Sequence, residues 1–113
     1  MARIEHYEFG RIVVDGQEEQ RDLIILPDRV VGNWWRRHGH ALVPEDLDEV
    51  LDDLPERLVV GTGAYGRMRP DQATVERLTA RGVTAESLPT GQAVRRYGEL
   101  PPARTAAALH LTC

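Results

Sequence analysis

The chain has 113 residues, of which 42% are hydrophobic and 28% are charged. This length and composition predict one globular domain with a single core, and they argue against a coiled coil or extended disorder. Its 14 basic and 18 acidic side chains give a net charge of −4. That charge disfavours nucleic acid and membrane surfaces as partners, so we expect any anion site to be local.

The start of the sequence turns polar at once and shows no signal-peptide pattern, and no apolar run is long enough to span a bilayer. We therefore expect a cytoplasmic location. The single cysteine, Cys113, is the last residue. It predicts no intrachain disulfide and fits a reducing compartment.

The first third of the chain predicts β-structure. Strands are indicated over 3–7, 9–14 and 22–26, and a short one at 30–31. The pair Asp15-Gly16 is a strong turn signal because glycine accepts a positive φ at low cost. The run from Leu23 to Leu26 in the last of the long strands is apolar on both faces, so we expect that strand to be buried.

From Pro44 the hydrophobic period changes. Apolar residues at i, i+3, i+4 and i+7 predict an amphipathic helix on the stripe Leu47, Val50, Leu51 and Leu54. Beyond it the pattern alternates regularly, with strands at 57–61, 83–88 and 104–111 and helices at 70–81 and from the predicted N-cap Thr90 through Tyr97. Right-handed crossovers then predict a partly parallel sheet.

A glycine-rich turn, Gly61-Thr62-Gly63-Ala64-Tyr65-Gly66, follows an apolar strand and matches G-x-G-x-x-G. In such turns glycines let the backbone approach a phosphate, and Arg67 would add positive charge. However, Pro70 predicts a helix that starts about four residues after the third glycine, and Glu86 is a poorly placed ribose ligand. Dinucleotide binding is disfavoured and no cofactor is expected. An anion or small-ligand site and a plain tight connection both stay open.

Two further sets of polar residues carry weaker signals. His38, His40, His110 and Cys113 are residue types that bind zinc. However, the sequence contains no Cys-x-x-Cys or His-x-x-x-His pair, so we expect ordinary hydrogen-bonded histidines and no metal. Covalent catalysis by Cys113 with Asp22 and His40 is disfavoured, because a terminal thiol is poorly fixed and its own carboxylate opposes ionisation.

The segment Trp34-Trp35-Arg36-Arg37 combines aromatic rings with guanidinium groups, a mixture enriched at interfaces. In an extended segment one tryptophan points inward and the other outward. Trp34 in the core with Trp35 covering the next helix is one interpretation, and an exposed partner site is the other.

Several features together resemble the Mth938-domain family, a domain of unknown function also called DUF498, over essentially the whole chain. They are Phe9-Gly10, Asp22, Trp34, His38-Gly39-His40, Gly61-Thr62-Gly63, Gly66, Met68, Thr90, Ala93, Tyr97 and the stretch Leu109 to Cys113. The resemblance implies a single α/β domain over 1–113. It further implies a mixed central sheet with helices on one side and a small extra N-terminal β layer.

The resemblance also bears on function. Members of that family include a respiratory complex I assembly factor and an adipogenesis-associated protein, which act through partners. This implies a binding role rather than an enzyme. Because this sequence has no mitochondrial transit pattern, the complex I role is not carried over.

We therefore expect a binding or assembly-type protein with a cleft between the Gly61 to Gly66 turn and the Trp34 to His40 segment. The partner is an unidentified protein or a small anionic ligand, and the chain is a monomer or weak homodimer. The alternatives are a small enzyme in which Asp22 and His40 share proton transfer, and an oligomerising module built on Trp35. The predicted site residues are Asp22, Trp34, Arg37, His40, Gly61, Gly63, Gly66 and Arg67.

Overall fold

The computed structural model describes residues 2–113. Their strands are β1 (Ile4–Glu8), β2 (Arg11–Val14), β3 (Gln17–Glu19), β4 (Leu23–Ile25), β5 (Val30–Val31), β6 (Ala41–Leu42), β7 (Arg57–Thr62), β8 (Arg69–Pro70), β9 (Thr84–Leu88) and β10 (Thr105–His110). The α-helices are α1 (Gln72–Ala80) and α2 (Thr90–Gly98). Short 3₁₀ turns occupy Pro44–Leu47, Leu51–Asp53 and Pro102–Arg104.

A five-stranded mixed sheet with the order β5-β4-β10-β7-β9 forms the centre of the molecule. β10 is parallel to β7, which is parallel to β9, whereas β4 runs antiparallel to β10. β10 suits the middle position because all six of its residues are buried and its run Ala106-Ala107-Ala108 leaves room for packing on both faces. This arrangement confirms the predicted α/β fold class and the parallel part of the sheet.

Alternate residues of the central strands feed two separate cores. One face packs Val60 and Ala108 against α1 and the turns at 44–53, and the other packs Val59 and Ala107 against α2 and β2. The second core is closed by the three-stranded layer β1-β2-β3, which is the small extra β layer that was predicted.

The helices differ from the prediction in one detail, since they lie on opposite faces of the sheet rather than on one side. Leu78 of α1 belongs to one core, and Ala93 and Tyr97 of α2 belong to the other. The strand order explains this. The chain moves outward from β7 to β9 and then back past β7 to β10, so two right-handed crossovers place their helices on opposite faces.

The helix predicted from Pro44 is wrong, because the segment forms two separate 3₁₀ turns. Leu47, Val50 and Leu51 are buried as the apolar stripe requires, but Val50 has φ −115° and ψ −3° and interrupts the helix. The acidic residues Asp52 and Asp53 at the C-terminal end of the segment work against a continuous α-helix, because they oppose the helix dipole.

The remaining local predictions need smaller adjustments. The turn at Asp15-Gly16 is confirmed, with φ 51° and 79° at its two residues, and it joins β2 to β3. Asp71 caps α1 by accepting a hydrogen bond from the Thr74 amide at 2.8 Å. Thr90, predicted as the N-cap of α2, is instead its first helical residue, after Pro89 at the cap.

Candidate functional site

A surface cavity of about 300 Å³ lies beside the segment 33–39. Its walls come from the chain just before β4, from the loop after β5 and from the C-terminal end of β10. The residues that give it chemical character are Arg21, Asp22, Trp34, Trp35, Arg36 and His110. The position at the carboxyl end of β10 follows from the sheet, since β10 is antiparallel to β4 and so ends next to Asp22.

Asp22 is the centre of the hydrogen-bond network at this cavity. Its Oδ2 accepts from Nδ1 of His110 at 2.8 Å and from Nη2 of Arg36 at 3.1 Å, and its Oδ1 accepts from the Leu111 amide at 2.9 Å. Only 17% of the Asp22 side chain is exposed. A carboxylate that is buried to this extent is stable in its ionised form only with such partners.

Arg36 joins the network to the loop that forms the cavity wall. Its Nη1 donates to the carbonyls of His38 at 2.9 Å and Gly39 at 3.1 Å, and its guanidinium lies over the Trp34 ring at 5.8 Å. Its side chain is only 6% exposed, and Nε is buried with no hydrogen-bond partner among the described residues. The contact with the Trp34 ring offsets part of that desolvation, because ring faces attract cations.

The loop itself is fixed by Trp34 and Asp46. Nε1 of Trp34 donates to the Asp46 carbonyl at 2.8 Å, and the Trp34 amide donates to the Asp22 carbonyl at 2.8 Å. The buried carboxylate of Asp46 accepts from the amides of Arg37 and Val43 at 3.0 and 2.9 Å. These bonds hold Arg36 and Trp35 at the cavity without regular secondary structure.

His110 is oriented from both sides. A hydrogen on Nδ1 donates to Asp22, and Nη2 of Arg36 also lies 2.9 Å from this nitrogen. The buried Thr90 hydroxyl fixes the backbone of His110, since it donates to the His110 carbonyl at 2.6 Å and accepts from the Gly63 amide at 2.8 Å. A β-carbon on Gly63 would lie 2.9 Å from Cδ2 of His110. The glycine turn therefore acts as a backing for the histidine.

The pKa of Asp22 predicts an acid-dependent loss of stability. Burial raises the pKa of this carboxyl, but the bonds from His110, the Leu111 amide and Arg36 outweigh it and hold the pKa below its ordinary value. Because the folded-state pKa is the lower one, the stabilisation is complete above about pH 3.9 and is lost as pH falls through the folded pKa. We expect the free energy of unfolding in urea to fall more steeply below pH 4 in the parent than in Asp22→Asn. An equal dependence of the unfolding free energy on pH in the two proteins would contradict this prediction.

The glycine turn uses its amides internally. The Gly63 amide donates to Thr90, the Ala64 amide to the Thr112 carbonyl at 2.8 Å and the Gly66 amide to the Gly63 carbonyl at 3.2 Å. The next element is strand β8, and α1 begins only at Gln72. These amides are therefore occupied within the chain, in contrast to a phosphate-binding loop, which presents free amides at the start of a helix.

The predicted site residues fall into three groups. Asp22 and Trp34 line the cavity, and Gly63 lies behind His110. Gly61 is buried in β7 against Thr90 and Leu109. The remaining four lie outside the lining of this cavity: Arg37 and His40 are exposed, Arg67 lies over the Tyr65 ring at 5.6 Å, and Gly66 lines a second cavity.

Two residues of the network, Arg36 and His110, were not among the predicted site residues. Alternation along the extended segment places Arg36, not Arg37, on the same side as the inward-pointing Trp34. This signal was present in the sequence. His110 contacts Asp22 across 88 positions of sequence, so its role depends on the pairing of β10 with β4, which no local pattern reveals.

Two negative findings concern the described residues only. Within residues 2–113, no group of three or more His, Cys, Asp or Glu side chains is arranged to hold a metal ion. Neither α-helix of that region has the length and apolar character needed to cross a bilayer.

The fold and cavity together define a small mixed α/β domain with a polar network at the carboxyl end of its central strand. A sequence model of the family described as "Protein of unknown function (DUF498/DUF598)" matches residues 4–110. The chain belongs to this family, and the resemblance to the Mth938-domain family is confirmed.

Solved structures show the same architecture. The conserved hypothetical protein PH1505 from Pyrococcus horikoshii OT3 is 29% identical, with a TM-score of 0.82 over 98% of this chain and 99% of that chain. The protein MT938 is 28% identical, with a TM-score of 0.78 over 100% of both chains. A Bordetella pertussis protein described as a Mth938-like domain is 22% identical, with a TM-score of 0.72 over 97% of this chain and 85% of that chain, and shows the fold alone.

Proposed function

We propose that this protein is a binding protein that holds a small anionic ligand in the cavity beside Trp35, Arg36 and His110. The observation that carries the proposal is the Asp22–Arg36–His110 network. It is almost buried, yet it lies in the wall of an open cavity rather than inside either core. A structural ion pair has no need of that position, whereas convergent polar groups in a concave site are typical of ligand binding.

The charge and surface of the cavity favour an anion with a flat or apolar part. Asp22 is balanced by Arg36, so Arg21, which is exposed and lines the cavity, contributes the excess positive charge. Trp35 is 76% exposed at the rim, and an exposed indole provides a stacking surface. A volume of about 300 Å³ is at the lower end of the range for small-molecule sites.

The test is a titration of ¹⁵N-labelled protein with phosphate, citrate and a nucleoside monophosphate, followed by the NMR signals of the Trp35 indole and the Gly39 and Thr112 amides. We expect saturable shifts at these positions with at least one probe. Arg21→Gln should weaken that binding by about tenfold, which is the loss expected for one charged hydrogen bond. Trp35→Ala should weaken it as well.

Arg95→Gln is the matched control, because Arg95 is an exposed arginine on α2 that does not line this cavity. It should leave the affinity unchanged. Absence of saturable shifts at the cavity with all three probes would overturn the anion proposal. So would an equal effect of Arg21→Gln and Arg95→Gln.

A proton-transfer enzyme is the second candidate, and one observation supports it. In the tautomer whose Nδ1 donates to Asp22 at 2.8 Å, Nε2 carries no hydrogen and can act as a base, and His110 lines the cavity. The partner of Asp22 is thus His110 rather than His40, whose carbonyl accepts from the Arg69 amide. We expect His110→Gln to lower the hydrolysis of p-nitrophenyl acetate at least tenfold if this base is active. His38→Gln should not, and equal rates would reject the base.

The alternative binding role is the assembly of a protein partner through the exposed Trp35. It makes a different prediction from the anion proposal, since Trp35→Ala would abolish partner binding while Arg21→Gln would not. We propose the cytoplasmic location and the monomeric or weakly dimeric state expected from the sequence for either binding role.

A further inference from the structure

Among residues 2–113, β9 is an edge strand of the central sheet, with β7 on one side and no strand on the other. The Thr84 amide donates to the Glu56 carbonyl on the β7 side at 2.9 Å, and the Thr90 amide donates to the Gly63 carbonyl at 3.0 Å. Since backbone groups alternate in direction along a strand, the even positions face β7. The amides and carbonyls of Ala85 and Ser87 therefore point to the open edge.

This edge lacks the features that usually protect a sheet from pairing with another chain. It is five residues long and contains no proline or lysine, and its one charged residue, Glu86, is paired with Arg96 at 3.1 Å. The opposite edge is β5, which has only two residues. An exposed edge of this length is a template for an additional strand unless it is covered.

A groove runs beside the edge between α1 and β9. It consists of two cavities of about 340 and 520 Å³, which share Pro70, Val75 and Ser87. The first also contacts Ala85 and the second contacts Leu88, so the cavities follow one another along the strand. Side chains at i and i+2 of an added strand lie on the same face, about 7 Å apart, and can enter the two cavities in turn.

The groove distinguishes between two occupants. If a second copy paired through its own β9, its small Ala85 and Ser87 side chains would lie on the α1 face, where Ala85 packs in this chain. They would leave both cavities largely unfilled. A segment with two large apolar side chains would fill them, so a peptide from another protein fits better than a second copy of this chain.

The charges at one end of the groove add a further requirement. Arg69 lines the larger cavity, and Arg67 lies close by over the Tyr65 ring. Neither side chain forms an ion pair with a described carboxylate, whereas Arg77 on α1 pairs with Asp48 and Arg81, the residue after α1, pairs with Asp52. Two unpaired arginines at the Leu88 end favour an acidic residue at that end of the peptide.

We propose that the β9 edge binds an extended segment of a partner protein by strand addition. The segment carries large apolar side chains at i and i+2, which occupy the two cavities, and an acidic residue that meets Arg69. Main-chain bonds to Ala85 and Ser87 supply the pairing, and the cavities supply the specificity.

Fluorescein-labelled peptides Asp-Asp-Leu-Thr-Phe and Phe-Thr-Leu-Asp-Asp are suitable probes, because they place the acidic end correctly for an antiparallel and a parallel strand. We expect a saturable rise in anisotropy with one of them, and slower amide exchange at Ala85 and Ser87 in the complex. If neither peptide binds at the highest soluble protein concentration, the proposal is wrong. It is also wrong if binding leaves those two amides unprotected.

Ser87→Pro removes an amide that faces the open edge and leaves the ladder to β7 intact, so it should weaken the peptide at least tenfold. Val75→Glu, an exposed substitution on α1, should weaken peptide binding because it changes the wall of the groove but not the backbone of β9. Glu76→Ala, on the same helix, is its control. N-methylated versions of the peptide provide a test that does not depend on the folding of a protein variant. Methylation of the peptide's backbone amides that face β9 should abolish binding, and methylation of the backbone amides between them should not. Equal sensitivity at all positions would overturn strand addition.

Discussion

Gly63→Ala is expected to destabilise the protein by about 2–5 kcal/mol. Gly63 has φ +98°, a conformation that costs an alanine about 1–2 kcal/mol. The new β-carbon would also lie 2.8 Å from the Thr112 carbonyl oxygen and 2.9 Å from Cδ2 of His110. Both atoms are held by other bonds, so relieving the contacts adds about 1–3 kcal/mol. The free energy of unfolding in urea measures the sum.

Gly82→Ala is the matched control for this change. Gly82 has φ +75°, but apart from its chain neighbours no atom of residues 2–113 would lie within 4 Å of an added β-carbon. Alanine there incurs only the cost of the positive φ. The difference between the two variants isolates the packing of the turn against His110. If Gly63→Ala were no more destabilising than Gly82→Ala, the turn would not be a backing for the histidine. Cavity NMR signals that stay unshifted in Gly63→Ala would support the same conclusion.

The elements of the second half could be predicted because each is short, regular and bounded by a clear signal. The strand at 57–61 and the helix ended by Gly82 follow local patterns of hydrophobicity and turn residues. The position of β10 at the centre of the sheet depends on pairing between distant segments. The separation of the two helices onto opposite faces follows from that strand order, and therefore was not visible beforehand.

The segment after Pro44 shows where a correct hydrophobic pattern predicts the wrong element. Leu47, Val50 and Leu51 are buried in both the predicted helix and the observed turns, so the pattern itself cannot separate the two. The backbone differs at Val50, whose φ of −115° separates the two turns, and Asp52 and Asp53 beyond it oppose the helix dipole. The hydrophobic pattern alone contains neither feature.

The candidate site was predictable in part for a related reason. Asp22 opens the apolar run Leu23 to Leu26, and Trp34 begins a segment rich in tryptophan and arginine, so both could be selected from the sequence. Arg36 follows from the alternation of an extended chain, but selecting it required knowing that Trp34 points inward. The Thr90 hydroxyl bonds to Gly63 and His110, which lie on other elements. These bonds depend on the packing of β7, α2 and β10, so the sequence alone does not predict them.

Asp22→Ala is expected to destabilise the protein by about 3–5 kcal/mol, which is typical when one partner of a buried ion pair is removed. The change leaves the guanidinium of Arg36 without a carboxylate while its side chain is only 6% exposed. The Leu111 amide and Nδ1 of His110 also lose their acceptor. Urea unfolding at pH 7 gives the magnitude, and NMR should show that the His110 ring is no longer held in one orientation.

Asp52→Ala and the double variant Asp22→Leu with Arg36→Met provide the comparison. Asp52 pairs with Arg81 but is 87% exposed, and exposed pairs contribute little to stability. The double variant removes both charges, so it should be more stable than Asp22→Ala even though it has lost the whole ion pair. If Asp22→Ala were as stable as Asp52→Ala, the Asp22–Arg36–His110 network would not contribute to the free energy of unfolding. A double variant less stable than Asp22→Ala would show that the cost arises from lost packing rather than from an uncompensated buried charge.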